Sequence, residues 1–171
     1  MGKTLPEFIP AAIAVLTVSD RRDASDDTSG GYLRAAATEA GHQVIDHAIV
    51  KDNKYRIRAI VSSWIASSDV QVILINGGTG FSAGNSTPEA LQPLFDREIE
   101  GFGELFRMVS YEDIGSATLQ SRALAGMANQ TLIFAMPGSG NACRSAWERI
   151  IVEQLDARTR PCNFISHLKK P

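Results

Sequence analysis

Apolar residues recur along the chain in two rhythms. Residues 12–18, 44–50, 70–75 and 131–136 are short, nearly continuous apolar runs. Runs of that length predict strands, and 70–75 is apolar enough to be buried on both faces. Elsewhere the spacing lengthens. Ile57, Ile60, Val61, Trp64 and Ile65 fall at i, i+3, i+4, i+7 and i+8, a one-faced helix that Asp52 or Asn53 caps. Thr28 or Ser29 caps a helix over 31–40 that stops at Gly41. Thr87 as N-cap, Pro88 in the first helical position and Glu89 near the positive end of the dipole open another. Gly101-Phe102-Gly103 is expected to break the chain before a helical stretch at 104–109. Residues 124–127 remain ambiguous. Pro137-Gly138-Ser139 turns into a last helix with Cys143, Trp147, Ile150, Ile151 and Leu155 on one face.

Strands alternating with helices predict an α/β fold with a mostly parallel sheet. The 171 residues suit one domain, with an N-terminal arm at 1–10 and a loosely specified polar tail from about 158 to 171. Such sheets bind ligands outside the carboxyl ends of their strands, where strand order switches.

Composition narrows the field. Hydrophobic residues at 44% and charged residues at 21% exclude a disordered chain or a coiled-coil rod. A net charge of -2, with no Lys/Arg block longer than a pair, argues against nucleic acid as a partner. The longest largely apolar run, residues 11–18, is too short for a bilayer that needs roughly 20. Lys3 ahead of it is a weak leader signal with no small-residue cleavage site behind it. Cys143 and Cys162 form no metal-ligand pattern, and two free thiols suit a reducing, cytoplasmic compartment. His42, His47 and His167 have no matching partners and read as surface or packing residues.

The strand ends carry the chemistry. After the first come Ser19-Asp20-Arg21-Arg22 and Asp26-Asp27-Thr28-Ser29-Gly30; after the second, Lys51-Asp52. After the third comes Asn76-Gly77-Gly78-Thr79-Gly80, running on to Asn85; after residues 131–136, Pro137-Gly138-Ser139-Gly140-Asn141. Glycines admit positive φ and let a ligand approach backbone N–H groups, which form an anion nest. Gly84 followed by Asn85 excludes a Walker A loop. Gly78-x-Gly80-x-x-Ala83 formally matches a dinucleotide fingerprint, but the helix starts too late and no strand precedes Glu98. A phosphate-holding loop of another kind and a plain tight turn both stay open. The Asp-rich first loop fits either a solvated turn, with Asp27 as a cap, or contact with Mg²⁺ or ligand. Asp52 is equally either an N-cap or a ligand.

Several ordered blocks then coincide with one family. These are Leu16-Thr17-Val18-Ser19-Asp20-Arg21-Arg22, Asp27-Thr28-Ser29-Gly30, and Gly77-Gly78-Thr79-Gly80 with Thr87-Pro88-Glu89-Ala90. Residues 96–104, Leu119-Gln120-Ser121-Arg122-Ala123, and Met136-Pro137-Gly138-Ser139 with Ala142-Cys143-Arg144 complete the set. The chain resembles the MoaB/Mog proteins of molybdenum cofactor biosynthesis over nearly its whole length.

The resemblance implies a three-layer α/β/α sandwich that binds molybdopterin and an adenine nucleotide. It implies Mg²⁺-dependent transfer of AMP from ATP to the terminal phosphate of molybdopterin, in a homotrimer or a homohexamer of two trimers. Asp52 matches one of two acids expected at the metal, and the second falls at Asn85. On this reading Asp52 and Asn85 carry metal and catalysis. Ser19, Asp20, Asp27, Ser29, Gly30, the 77–80 loop, Ser121, Arg122, Pro137, Gly138 and Ser139 line the ligand pocket. Asn offers one carbonyl oxygen but no charge, which weakens turnover. The alternative is a non-catalytic hexameric carrier.

Overall fold

The computed structural model describes residues 6–170. Residues 1–5 of the expected arm, with Lys3, and Pro171 of the tail lie outside the described residues. The strands are β1 (Ala12–Val18), β2 (Gln43–Val50), β3 (Val72–Asn76), β4 (Arg97–Glu98), β5 (Leu124–Ala128) and β6 (Thr131–Met136). They form one sheet in the order β2-β1-β3-β6-β5-β4. Pairing is parallel from β2 through β6, and β5 runs antiparallel to both of its neighbours.

Strand periodicity divides the core into two layers. Ile13 and Val15 of β1 pack under α1 (Thr28–Glu39), α4 (Glu100–Ile114) and α5 (Gly140–Ala146), against Leu33, Phe102, Phe106 and Trp147. Ala14, Leu16 and Val18 face the other way, onto Ile57, Val61 and Trp64 of α2 (Lys54–Ala66) and Leu91 of α3 (Thr87–Leu91). This is the mostly parallel α/β fold that the pattern predicts and the three-layer α/β/α sandwich that the resemblance implies. After α5 the helix widens into a π turn at Trp147–Ile151 and ends with α6 (Val152–Gln154).

Several local expectations are corrected. Gly101 and Gly103 do not break the chain; both lie inside α4. A Cβ on Gly103 would sit 2.7 Å from the Ala123 carbonyl oxygen, so this glycine lets the helix pack closely on the strand. Residues 124–127 belong to a strand, returned by a tight turn in which Asn129 and Gln130 both take positive φ, as two-residue hairpins require. Glu98, set aside for want of a strand, lies in short β4 itself. Asp27, offered as a cap in the loop reading, caps α1 in place of Thr28 or Ser29, and of the two caps expected for α2 it is Asn53 that serves. Thr87 is already helical, and Ser86 precedes it. The tail is anchored: Ile165 and Leu168 are buried, and the Lys169 ammonium donates to the carbonyls of Ile65 and Ser67.

His42 is a packing residue, as expected; His47 and His167 are exposed. Its Nδ1 accepts a 3.1 Å hydrogen bond from the Ala11 N–H, which requires an unprotonated nitrogen. Burial pushes the imidazole below its ordinary value, partly opposed by the Asp156 carboxylate. The unfolded chain therefore takes up a proton that the folded chain resists, and this contribution to stability is lost as pH falls below about 6.5. In urea unfolding between pH 7.5 and 5, the wild-type midpoint should fall more steeply than that of His42→Leu. Equal slopes would exclude the coupling.

Candidate functional site

The chain leaves β1 to one side for β2 and returns to the other for β3, so strand order switches between β1 and β3. At their carboxyl ends, joined by that of β6, lies a cleft of about 440 Å³. Ser19 and Arg22 line it from the end of β1, residues 76–80 and Asn85 from β3, and Pro137, Gly138 and Ser139 from β6. Its size suits a small ligand.

Close packing shapes the glycine loop. Gly77 and Gly78 have φ of +99° and +69°. A Cβ on Gly77 would sit 2.1 Å from the Val18 carbonyl oxygen, and one on Gly78 would meet the Thr87 hydroxyl at 2.2 Å. Thr87 stitches the turn: its hydroxyl donates to the Gly77 carbonyl at 2.8 Å and its N–H to Gly78 at 3.0 Å. The Gly77 N–H is taken by Met136. Among the described residues, the N–H groups of Gly78, Thr79 and Gly80 have no protein acceptor. Together they can serve an anion.

The predicted residues fall into four groups, the last of them the acidic corner of Asp20 and Asp52. Ser19, Gly77, Gly78, Thr79, Gly80, Asn85, Pro137, Gly138 and Ser139 meet around the cleft. Asp27, Ser29 and Gly30 support it from beneath. Asp27 accepts from the Gly30 N–H at 3.0 Å and from the Thr17 hydroxyl at 2.8 Å, while Ser29 donates to the Gly138 carbonyl at 2.8 Å. Ser121 and Arg122 lie behind the glycine loop. The Arg122 guanidinium donates to the carbonyls of Gly80 and Asn85, pairs with Glu89 and covers the Phe81 ring.

Two polar lining residues, Arg22 and Asn76, were named at the strand ends but not assigned to the pocket. Arg22 supplies positive charge to the cleft; one guanidinium nitrogen reaches the Ser29 hydroxyl and the Gly138 carbonyl, leaving other N–H groups to face a ligand. Asn76 closes the floor. Their signals were a charged pair directly after β1, and a polar residue ending an otherwise apolar strand.

The acidic corner stands at the rim. Asp52 accepts from the Asn85 side-chain amide at 3.0 Å, the Ser86 N–H at 3.0 Å and the Ser86 hydroxyl at 2.8 Å. Its own N–H donates to Asp20 at 3.1 Å. Asn85 thus presents an N–H donor to Asp52, where a second acid would present charge to a cation. A metal on that oxygen would displace the Asn85 N–H, and its acidic groups would be Asp52 and the neighbouring Asp20, without the charge an acid at position 85 would add.

Comparison with known proteins agrees with this architecture. A family described as a probable molybdopterin binding domain matches residues 14–157. The chain belongs to this molybdenum cofactor biosynthesis family. It is 69% identical to molybdenum cofactor biosynthesis protein B of Escherichia coli K12 over 99% of this chain and all of that one. It is 46% identical to the protein of that name from Bacillus cereus over 82% of this chain and 84% of the other. A crystal structure of molybdenum cofactor biosynthesis protein B superposes with a TM-score of 0.84 at 44% identity, covering 86% of this chain and 92% of that one. Among the described residues no helix is long and apolar enough to cross a membrane.

Arg122 clamps the glycine loop of this chain from behind. Arg122→Ala removes the loop's side-chain anchor, which should cost about 1–3 kcal/mol. Hydrogen exchange at the Asn85 and Ser86 amides, which are bonded within this segment, should quicken by at least about tenfold, while β1 and β6 change little. Unchanged exchange in the loop would refute the clamp.

Proposed function

We propose that this cleft binds molybdopterin, with the phosphate at Arg22 and the free amides of residues 78–80 and the pterin ring directed toward Asn76. The observation that carries the reading is the convergence of Arg22 and three unpartnered amides at one switch point. A phosphate there meets positive potential from both sides in a partly desolvated setting.

The adenylyl transfer implied by the resemblance takes ATP as a second substrate. Attack of one phosphate on another brings like charges together, and Mg²⁺ offsets them when bound. This chain answers with Asp52 already hydrogen-bonded by Asn85 and Ser86. We therefore read the protein as one that binds and holds molybdopterin and adenylylates it poorly.

Assembly follows the same reading. Leu105, Met108, Tyr111 and Ile114 of α4, with Leu119 beyond it, are between 47% and 77% exposed. This apolar surface supports a homotrimer or homohexamer.

Purified protein should bind molybdopterin, and Arg22→Leu should weaken binding about ten- to a hundredfold. With ATP and Mg²⁺, release of pyrophosphate should stay near background. Rapid stoichiometric formation of adenylylated pterin would overturn the holding role. Asn85→Asp should raise both Mn²⁺ affinity, read by paramagnetic resonance, and Mg²⁺-dependent transfer; no gain in either would show that position 85 does not tune a metal. Light scattering should return a mass of three or six chains, and a monomer at micromolar concentration would refute the assembly.

A further inference from the structure

Asn76 ends β3 beside Thr17 of β1, its direct partner in the parallel register. The residue is fully buried and lines the cleft. Its side-chain amide has one allowed orientation. The NH₂ donates to the Thr17 hydroxyl at 2.9 Å and to the Leu16 carbonyl at 3.3 Å. Thr17 has committed its own hydrogen to Asp27, at 2.8 Å, so its oxygen can only accept from Asn76. Turning the amide over would set its oxygen against two acceptors. The Asn76 Oδ1 is left with no partner, the sole such buried side-chain atom among the described residues.

A buried acceptor without a donor costs about 1–3 kcal/mol. Such an atom beside a cleft calls for a donor there, an ordered water in the cleft or a ligand group that displaces it. Its polarity narrows the choice. An acceptor repels phosphate oxygens, so the phosphate end of a ligand does not settle here. A cation is opposed by the Arg22 guanidinium and by the free amides of the glycine loop. What remains is a neutral donor, an N–H or an O–H. A heterocycle that carries N–H on its edge supplies such a donor.

We propose that Asn76 is a specificity residue: its Oδ1 accepts an N–H from the amide edge of the pterin ring, seating the heterocycle in the floor and leaving the phosphate at the rim. This rests on the molybdopterin reading of the cleft. It adds which end enters first and which atom selects the ring.

The test uses two probes that separate the two ends. One is 6-hydroxymethylpterin, which has the ring and no phosphate; the other is inorganic pyrophosphate. A ring analogue methylated at N3 and on the 2-amino nitrogen removes the N–H donors. Wild-type protein should bind 6-hydroxymethylpterin at least about tenfold more tightly than the methylated analogue. Asn76→Leu should lower pterin affinity about tenfold and shrink the preference over the analogue to about twofold. Pyrophosphate affinity should respond to Arg22→Leu instead. If Asn76→Leu fails to fold, Asn76→Thr serves, since it keeps a donor for Thr17 but carries no carbonyl. Pyrophosphate binding with no ring preference in the wild type would overturn the role of Asn76 and leave the phosphate reading standing. Failure of both probes to bind would overturn both.

Discussion

The carboxyl ends of β1, β3 and β6 approach so closely that no side chain fits between them at Gly77. A Cβ there would lie 2.1 Å from the Val18 carbonyl oxygen, and a Cβ added to Gly138, just after β6, would lie 3.2 Å from the Gly77 Cα. That closeness lets the positive-φ turn at Gly77 and Gly78 lie flat across the strand ends. Its next three amides then have no strand to pair with. An ordinary α/β sandwich becomes a binding protein at this point. The apolar strands position the turn, the turn exposes the amides, and Arg22 adds the charge. Thr87 and Arg122 hold the arrangement from behind without touching the cleft.

Most of the fold was legible because hydrophobic periodicity reports burial directly. Four apolar runs and two helical faces fixed the layers, and Ile57, Val61 and Trp64 face the sheet as their spacing requires. The errors share a cause: a residue type read for its usual local role was claimed by tertiary contact. Gly103 reads as a breaker and serves as a close-packing site; Thr87 reads as a cap and instead pins the glycine loop. Residues 124–127 were ambiguous because four residues of small and medium apolar side chains fit either period. Only the hairpin at Asn129 and Gln130 decides the matter.

The site was legible in its parts and not in its division of labour. Sequence places charged, hydroxyl and glycine residues at strand ends, but not which of them turn inward. Asp27 and Arg122 look like ligand contacts and spend their hydrogen bonds on the scaffold. Arg22 is one of two adjacent arginines in an exposed-looking loop, and nothing in its neighbours separates it from Arg21. Asn76 was hidden by its position at the end of an apolar strand, where a single polar residue passes as the start of the loop.

The pairing of Asp52 with Asn85 is the point where two nearly isosteric side chains imply different chemistry. A carboxylate at position 85 would face Asp52 across a distance at which two like charges repel, and relief comes from a cation between them. The amide instead donates a hydrogen bond at 3.0 Å, so the corner is satisfied without any third component. The same substitution leaves the glycine loop intact, because the Asn85 backbone carbonyl is what Arg122 holds. Ligand affinity and metal demand are thereby carried by different atoms of one short segment. On the proposed reading, the amides and Arg22 serve the anion, and position 85 offers a metal an amide where a second acid would offer charge.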